Sequence, residues 1–193
     1  MRIFVAGGTG VIGLRLLPLL VAGGHRVAGM TRSPQKADTI RELGAEPVVC
    51  DVFDAAALED AVVSFRPDAV LHELTDLPDD AASIPEFAAA NACIRRAGTR
   101  NLLAAAHAAR AGRFLAQSVA WPLPGDAGAA AKELERSVLG AGGVVLRYGR
   151  LYGPRTYYEQ APPPPPRVHV DEAARRTVEA LGAPAGVLEI VED

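Results

Sequence analysis

The sequence predicts an α/β protein with a Rossmann-like, doubly wound parallel sheet and helices on both faces. Short apolar segments alternate with helical segments along the chain, and a glycine-rich turn follows the first apolar segment. Strands that are separated by helices pair in parallel, because each helix carries the chain back across the sheet. The length of 193 residues predicts a single domain over 1–193.

Apolar stretches bounded by turn residues give the predicted strands 2–6, 25–30, 46–50, 67–74, 112–119, 142–149 and 186–193. The segments between them have helical patterns, and the predicted helices are 11–22, 33–44, 55–65, 85–110, 127–140 and 170–182. The second helix is typical, with Ser33 as N-cap, Pro34 in its first turn and Gly44 at its end. Proline fills 162–166, which predicts a stiff polyproline II connector rather than a ligand for a proline-reading domain.

Positive charge is concentrated at the start of the chain, although the net charge is −3. The first 37 residues contain no carboxylate and carry five cations, namely Arg2, Arg15, Arg26, Arg32 and Lys36. A basic lobe of this size favours a small polyanion, such as a nucleotide cofactor, over a nucleic acid, which would need a larger basic surface.

Several classes of protein are not indicated. The longest apolar runs are interrupted by Arg15 and Pro18, so no membrane span is expected, and glycines break the segment where the apolar part of a signal peptide would lie. We therefore expect a cytoplasmic protein. The two cysteines and four histidines lack metal-ligand spacing, so no metal site is predicted.

Gly7, Gly10 and Gly13 form a GxxGxxG pattern between the first strand and the first helix. In that position Gly7 permits a tight turn, Gly10 lets the backbone approach a pyrophosphate, and Gly13 lets the helix pack closely on the strand. The amino end of the helix offers N–H groups to the phosphates. The pattern predicts a dinucleotide site.

The end of the second strand bears on the choice of cofactor. A protein that prefers NAD usually has an acid there for the ribose 2′-hydroxyl, whereas this chain has Arg32 and Lys36 and no acid before Asp38. Arg32 and Lys36 are suited to a 2′-phosphate. The sequence therefore favours NADP and leaves NAD open.

The glycine pattern, together with "PDAVLHEL", "GTRNLLAAA", "LAQSVAW", "VVLRYGRLYGP" and "VHVDEAA", resembles the extended and atypical short-chain dehydrogenase/reductase superfamily, in particular NAD(P)-dependent epimerase/dehydratase-like proteins. The resemblance implies that Asp51 and Val52 border the adenine and that Leu74 passes the nicotinamide ribose. Ser118 would hydrogen-bond the substrate. The pyrophosphate would lie on the glycine turn, which also contains Thr9, Val11 and Ile12.

The catalytic YxxxK signature of that superfamily is absent. The chain has two lysines, Lys36 and Lys132, and neither has a tyrosine four residues before it. Lys132 lies on the helix after the fifth strand, where the superfamily places its lysine, and an ordinary surface role is an equal alternative. Tyr152, Tyr157 and Tyr158 follow the sixth strand, and Tyr152 is our candidate proton donor.

Two other interpretations remain open. The segment His72 to Asp76 brings imidazole, carboxylate and hydroxyl groups together in sequence, which would suit a redox-neutral lyase, isomerase or cyclase. Loss of YxxxK would also suit a catalytically silent NADP-binding sensor. We expect an oxidoreductase or epimerase-like enzyme that acts on a small metabolite or natural-product intermediate, with a reduced substrate region around 150–170.

The alanine-rich helix 85–110 resembles the helix through which superfamily members dimerise, which implies a homodimer.

Overall fold

The computed structural model describes residues 1–192 and confirms the predicted fold class. Its strands are β1 Arg2–Ala6, β2 Arg26–Thr31, β3 Glu46–Val49, β4 Ala69–His72, β5 Arg113–Val119, β6 Val144–Tyr148, β7 Arg150–Tyr152, β8 Arg167–His169 and β9 Gly186–Ile190. Seven of them form one parallel sheet in the order β3-β2-β1-β4-β5-β6-β9. A small second sheet pairs β7 with β8.

Seven α-helices connect the strands within the described residues, and short 3-10 turns lie at 34–36, 81–83 and 180–182. The helices are α1 Gly13–Ala22, α2 Ala37–Glu42, α3 Ala55–Phe65, α4 Ile84–Cys93, α5 Thr99–Ala108, α6 Gly125–Gly140 and α7 Val170–Glu179. Among these residues, no helix is both long enough and apolar enough to cross a membrane.

Alternation along the strands gives the sheet two separate cores. In β1, Ile3 and Val5 face α1 and α7, whereas Phe4 and Ala6 face α3 and α5. Because neighbouring side chains of a strand point to opposite faces, a fully buried apolar strand needs helices on both sides. The apolar run "RIFVA" therefore lies in the middle of the sandwich.

The site is positioned by the reversal of strand order at β1. Chain order runs from β1 to β2 and β3 in one direction and from β4 outward in the other, so the loops after β1 and β4 diverge. Ligands of doubly wound sheets bind in the crevice beyond the carboxyl ends of the strands at this reversal.

The structure corrects three details of the sequence prediction. The predicted helix 85–110 is interrupted by a π-helical segment, Ile94–Gly98, between α4 and α5. The proline run 162–166 is not one straight polyproline II spacer, because the chain bends over 164–166 and prolyl carbonyls accept hydrogen bonds from Arg150 and Arg167. The small sheet formed by β7 and β8 was not predicted.

Candidate functional site

The glycine turn after β1 adopts a conformation that favours glycine. Gly7 has a φ of +98°, in the left-handed region that residues with a side chain rarely occupy. The amides of Gly7 and Gly8 donate to the carbonyl of Met30 at 3.3 and 2.9 Å. These bonds hold the turn against the neighbouring strand β2.

Two of the glycines are also required by close packing. A Cβ at Gly7 would lie 2.7 Å from the carbonyl oxygen of Glu73, and a Cβ at Gly13 would lie 2.2 Å from the carbonyl oxygen of Gly7. At Gly10 the nearest atom, again the Gly7 oxygen, would be 3.3 Å away. Gly7 and Gly13 therefore fix the turn and the first residue of α1, and Gly10 is exposed, where a phosphate can approach.

Backbone N–H groups of the turn remain free for a ligand. Among residues 1–192, the amides of Thr9, Val11 and Ile12 donate no hydrogen bond, and no side chain caps the amino end of α1. Free amides and the positive end of a helix dipole form an anion site. The turn therefore fits the pyrophosphate of a dinucleotide.

Arg32 and Lys36 lie where the sequence places them, at the carboxyl end of β2. Lys36 is exposed in the turn 34–36. The Arg32 guanidinium pairs with the Asp76 carboxylate at 2.7 Å, with Arg32 63% and Asp76 15% exposed. Since β1 lies between β2 and β4, this ion pair spans the end of β1 beside the glycine turn.

The other predicted cofactor contacts line the same edge of the sheet. Asp51 is exposed after β3, and its Oδ1 accepts from the amide of Phe53 at 3.0 Å. Val52 is buried, and its carbonyl accepts from Asn101 at 2.9 Å. Leu74 is half-buried after β4.

His72 and Glu73 lie at the end of β4 and point to opposite faces. The Nδ1 atom of His72 accepts from the Leu74 amide at 3.3 Å, and Nε2 lies 3.0 Å from the Thr99 hydroxyl. Burial, together with the nearby charge of Arg95, lowers the pKa of His72 to about 4, so the ring is neutral at pH 7. The imidazole and the Glu73 carboxyl therefore do not share a surface, which does not favour the alternative of a redox-neutral site at His72 to Asp76.

Glu73 is buried beneath the sheet with Tyr148 and Thr177. Burial raises the pKa of Glu73 to about 8, so the carboxyl is mainly neutral at pH 7. Tyr148 Oη lies 2.6 Å from Thr177 Oγ1 and 3.3 Å from Glu73 Oε1, and Thr177 donates to the Ala173 carbonyl. The other carboxyl oxygen, Oε2, has no partner among the described residues, which a neutral group tolerates far better than a charged one.

Ser118 belongs to a polar cluster at the ends of β5 and β6. Its hydroxyl donates to Glu135 Oε1 at 2.7 Å, and Arg147 donates to both oxygens of Glu135 at 2.9 and 2.6 Å. Hydrogen bonds from Arg147 and Ser118 hold the pKa of the Glu135 carboxyl below its ordinary value, although burial acts in the opposite direction. The cluster is an ionised, hydrogen-bonded support for the Ser118 hydroxyl.

A pocket of about 270 Å³ opens beside this cluster. Ser118, Trp121, Ala131, Lys132, Glu135 and Arg147 contribute to its lining. Lys132 lies three residues before Glu135 on α6, is exposed, and makes no ion pair within residues 1–192. The pocket therefore brings Ser118 and Lys132 together, with Trp121 as an aromatic wall.

Tyr152 is placed away from this pair, in the small sheet. Its hydroxyl donates to Glu192 at 2.8 Å, and its ring packs edge-on against His169 at 5.1 Å. The bond to Glu192 raises the pKa of Tyr152. Tyr157 donates to the Pro78 carbonyl. These contacts connect loops and give both tyrosines structural partners.

Residues 3–122 match the NAD dependent epimerase/dehydratase family. The chain belongs to this family. A curated relative from a Streptomyces species, 3-diazoavenalumate denitrifying reductase, is 36% identical over 236 residues, covering 100% of this chain and 76% of the relative. A ketoreductase from Stigmatella aurantiaca, named for a farnesyl dihydroquinoline oxide, is 35% identical over 115 residues, 60% of this chain and 32% of that protein.

Solved structures of two epimerases share the fold at lower identity. UDP-glucose 4-epimerase from Thermus thermophilus, in complex with NAD, superposes with a TM-score of 0.80 at 22% identity, covering 99% of this chain and 78% of that one. The enzyme of the same name from Thermotoga maritima, with UDP-glucose, gives 0.81 at 21% identity, covering 99% and 77%.

Two members of the site were not found from the sequence. Glu135 and Arg147 support Ser118, and neither belongs to a motif. Arg147 could have been found, because it is a charged residue inside the apolar strand "VVLRY". A charge in a buried strand needs a partner. Glu135 has no comparable signal, because acidic residues on a surface helix such as α6 are common.

Proposed function

We propose that this member of the NAD-dependent epimerase/dehydratase family binds NADP(H) on the glycine turn and reduces a small substrate held in the Ser118 pocket. The observation that carries the proposal is the juxtaposition of free turn amides at the sheet reversal with a polar pocket at the ends of β5 and β6. The names of two relatives, both reductases, support reduction over epimerisation.

The residues at the turn fit a dinucleotide. Gly7 and Gly13 leave no room for a side chain, so the turn presents bare backbone, and the amides of Thr9, Val11 and Ile12 would hold the pyrophosphate. Asp51, Val52 and Leu74 would border the adenosine and the nicotinamide ribose. When bound, the reduced cofactor supplies a hydride to an electrophilic atom of the substrate.

Preference for NADP over NAD rests on Arg32 and Lys36. Both cations stand at the end of β2, where a 2′-phosphate would lie, and the guanidinium of Arg32 can bind it through two parallel hydrogen bonds. The Asp76 carboxylate now pairs with Arg32, so a 2′-phosphate would compete with it. Lys36 has no ion-pair partner within residues 1–192 and would receive the phosphate directly.

Ser118 and Lys132 would handle the substrate in place of the missing tyrosine. The Ser118 hydroxyl, positioned by Glu135, would hydrogen-bond the reacting group, and the Lys132 ammonium would supply the proton that accompanies the hydride. Tyr152 is the alternative donor from the sequence, and its bond to Glu192 does not favour it.

Turnover tests this proposal. We expect NADPH oxidation, followed by absorbance, with a small aryl ketone as substrate, whose carbonyl takes the hydride at carbon and the proton at oxygen. Ser118→Ala and Lys132→Ala should each reduce kcat by about 10²- to 10⁴-fold, the usual contribution of a proton donor or its partner, and Arg136→Ala, exposed on the same helix, should leave kcat unchanged. Tight NADPH binding with no turnover across the panel would favour the silent sensor instead.

Homodimerisation through 85–110 and a cytoplasmic location remain predictions. Phe87 on α4 is 36% exposed, so one apolar side chain of this helix is available to such an interface.

A further inference from the structure

Arg95 lies in the π-helical segment Ile94–Gly98, on the helix face that meets the end of β4. Its neighbours one turn away on that face are buried Asn91 and Thr99. Asn91 Oδ1 accepts from the Asp76 amide at 3.2 Å, and Thr99 bonds His72. Since residues four apart share a helix face, Arg95 points toward the edge of the sheet where the glycine turn and Ser118 lie. π-helical turns occur frequently at functional sites.

Arg95 has no hydrogen-bond or ion-pair partner within residues 1–192, although it is only partly exposed. The titratable groups around it are already paired or neutral. Glu135 already accepts three hydrogen bonds from Ser118 and Arg147, Arg96 pairs with Asp126 and Glu133, and His72 is neutral. The segment of Arg95 packs against α6, which carries Glu135. Partial burial lowers the pKa of Arg95, and the Glu135 charge acts in the opposite direction.

An unpaired guanidinium in this position points to an anion that the chain itself does not provide. Arg147 and Lys132 line the pocket together with a single carboxylate, Glu135. The segment that holds Arg95 packs against α6, the helix of Lys132 and Glu135, so Arg95 adds a third cation beside the pocket. Desolvated charges are stable only when paired. The excess positive charge therefore favours a ligand with a negative group.

We propose that Arg95 anchors the carboxylate of the substrate, which is a small planar organic acid of the benzoate or cinnamate class. This assignment rests on the proposed function, because it places the substrate in the Ser118 pocket. The planar guanidinium matches a carboxylate through two parallel hydrogen bonds, and Trp121 offers a flat apolar surface to the rest of the molecule.

The size and charge of the pocket select this class. A volume of about 270 Å³ lies at the low end for ligand sites and suits a molecule with one ring. Lys132 is assigned to the reacting group, and His72 is neutral at pH 7 because its pKa is about 4. One free guanidinium, Arg95, is therefore left for the negative group, which suits the single charge of a carboxylate better than the nearly two charges of a phosphate monoester.

Calorimetric titration with cinnamate and with its neutral amide, cinnamamide, tests the proposal. We expect wild-type protein to bind the acid about 10- to 100-fold more tightly than the amide, as is typical of a charge-assisted pair. Arg95→Gln should remove this preference and leave amide binding unchanged. Arg95→Lys keeps the charge and should keep part of the preference. Arg100→Gln, an exposed arginine five residues later, is the matched control and should behave as wild type.

Two further measurements separate this proposal from the proposed function. NADPH affinity, measured on the same proteins, should be equal in wild type and Arg95→Gln; loss of NADPH binding in that variant would overturn the substrate assignment. Quenching of the fluorescence of Trp121, the one tryptophan of the chain, should accompany cinnamate binding.

An acid preference that persists in Arg95→Gln, or tighter binding of phenyl phosphate than of cinnamate, would contradict the inference. Failure of wild type to bind NADPH would contradict the proposed function and leave the acid preference as a separate result.

Discussion

Arg32 favours NADP as the cofactor, and the Asp76 carboxylate opposes this preference. The sequence around it, "TRSPQK", predicts a 2′-phosphate site because it lacks an acid. In the structure an acid reaches the same place from the loop after β4, as Asp76 pairs with Arg32 at 2.7 Å. Only the fold brings these residues together, since they are 44 positions apart in the chain.

Asp76→Asn is therefore expected to strengthen NADPH binding. The substitution removes the carboxylate that competes for Arg32, and the resulting gain should be about three- to tenfold for NADPH and less than about twofold for NADH, because a partly exposed ion pair is worth about 1 kcal/mol. Fluorescence titration of both cofactors measures it, with Asp79→Asn as the control three residues later. An equal gain for both cofactors would contradict the role of Arg32.

Glu73 links stability to pH through its buried carboxyl. The folded pKa of about 8 exceeds the ordinary value of 4.5, so the folded state holds one more proton than the unfolded state between these values. The stability that this extra proton contributes is fully present below about pH 4.5 and decreases as pH rises toward 8. His72 has the opposite sign, because its pKa falls from 6.5 to about 4, and its effect is confined to lower pH.

We expect wild-type protein to lose stability between about pH 6.5 and 8, the window in which Glu73 acts without His72. The slope should approach, and not exceed, about 1.4 kcal/mol per pH unit. Glu73→Gln cannot ionise, so its urea unfolding free energy should vary less over the same window. Parallel curves for the two proteins would show that Glu73 does not titrate in the folded state.

At the level of elements, regular segments were predictable and irregular ones were not. The strand "RIFVA" and the helix 33–44 have strong periodicity or end signals, and the structure places β1 at 2–6 and a 3-10 turn followed by α2 within 34–42. The π-helical segment 94–98 has no signal, since "IRRAG" continues the helical pattern around it. The pairing of β7 with β8 joins residues that are distant in the chain, such as Arg150 and Arg167, and local patterns do not contain such contacts.

The candidate site was also only partly predictable from the sequence. The glycine turn was predictable because backbone conformation and close packing restrict Gly7 and Gly13 to one residue type. The polar cluster was only partly predictable, because Ser118 follows from resemblance whereas Glu135 and Arg147 become partners through packing of α6 on β5 and β6. The arrangement of His72 and Glu73 was not predictable from their proximity in sequence, since the last residue of β4 and the residue after it contact opposite faces of the sheet.

At the scale of the whole molecule, strand order converts separate segments into one site. The reversal at β1 places the glycine turn, the end of β2 and the loop after β4 at one edge of the sheet, and β5 with β6 places the Ser118 pocket along that edge. Both halves of the proposed reaction therefore depend on a parallel sheet whose two faces are covered by helices.

Titration of NADPH and NADH into wild-type protein and Gly13→Ala tests the central claim, that the glycine turn holds NADP(H), most directly. A Cβ at Gly13 would lie 2.2 Å from the Gly7 carbonyl oxygen, so the turn and α1 must separate, and overpacking of this kind costs about 1–3 kcal/mol. Gly140→Ala, where a Cβ meets nothing within 4 Å, is the matched control. We predict saturable binding to wild type and Gly140→Ala, tighter for NADPH, and at least about tenfold weaker binding to Gly13→Ala; no binding to wild type, or equal binding to Gly13→Ala, would contradict the claim.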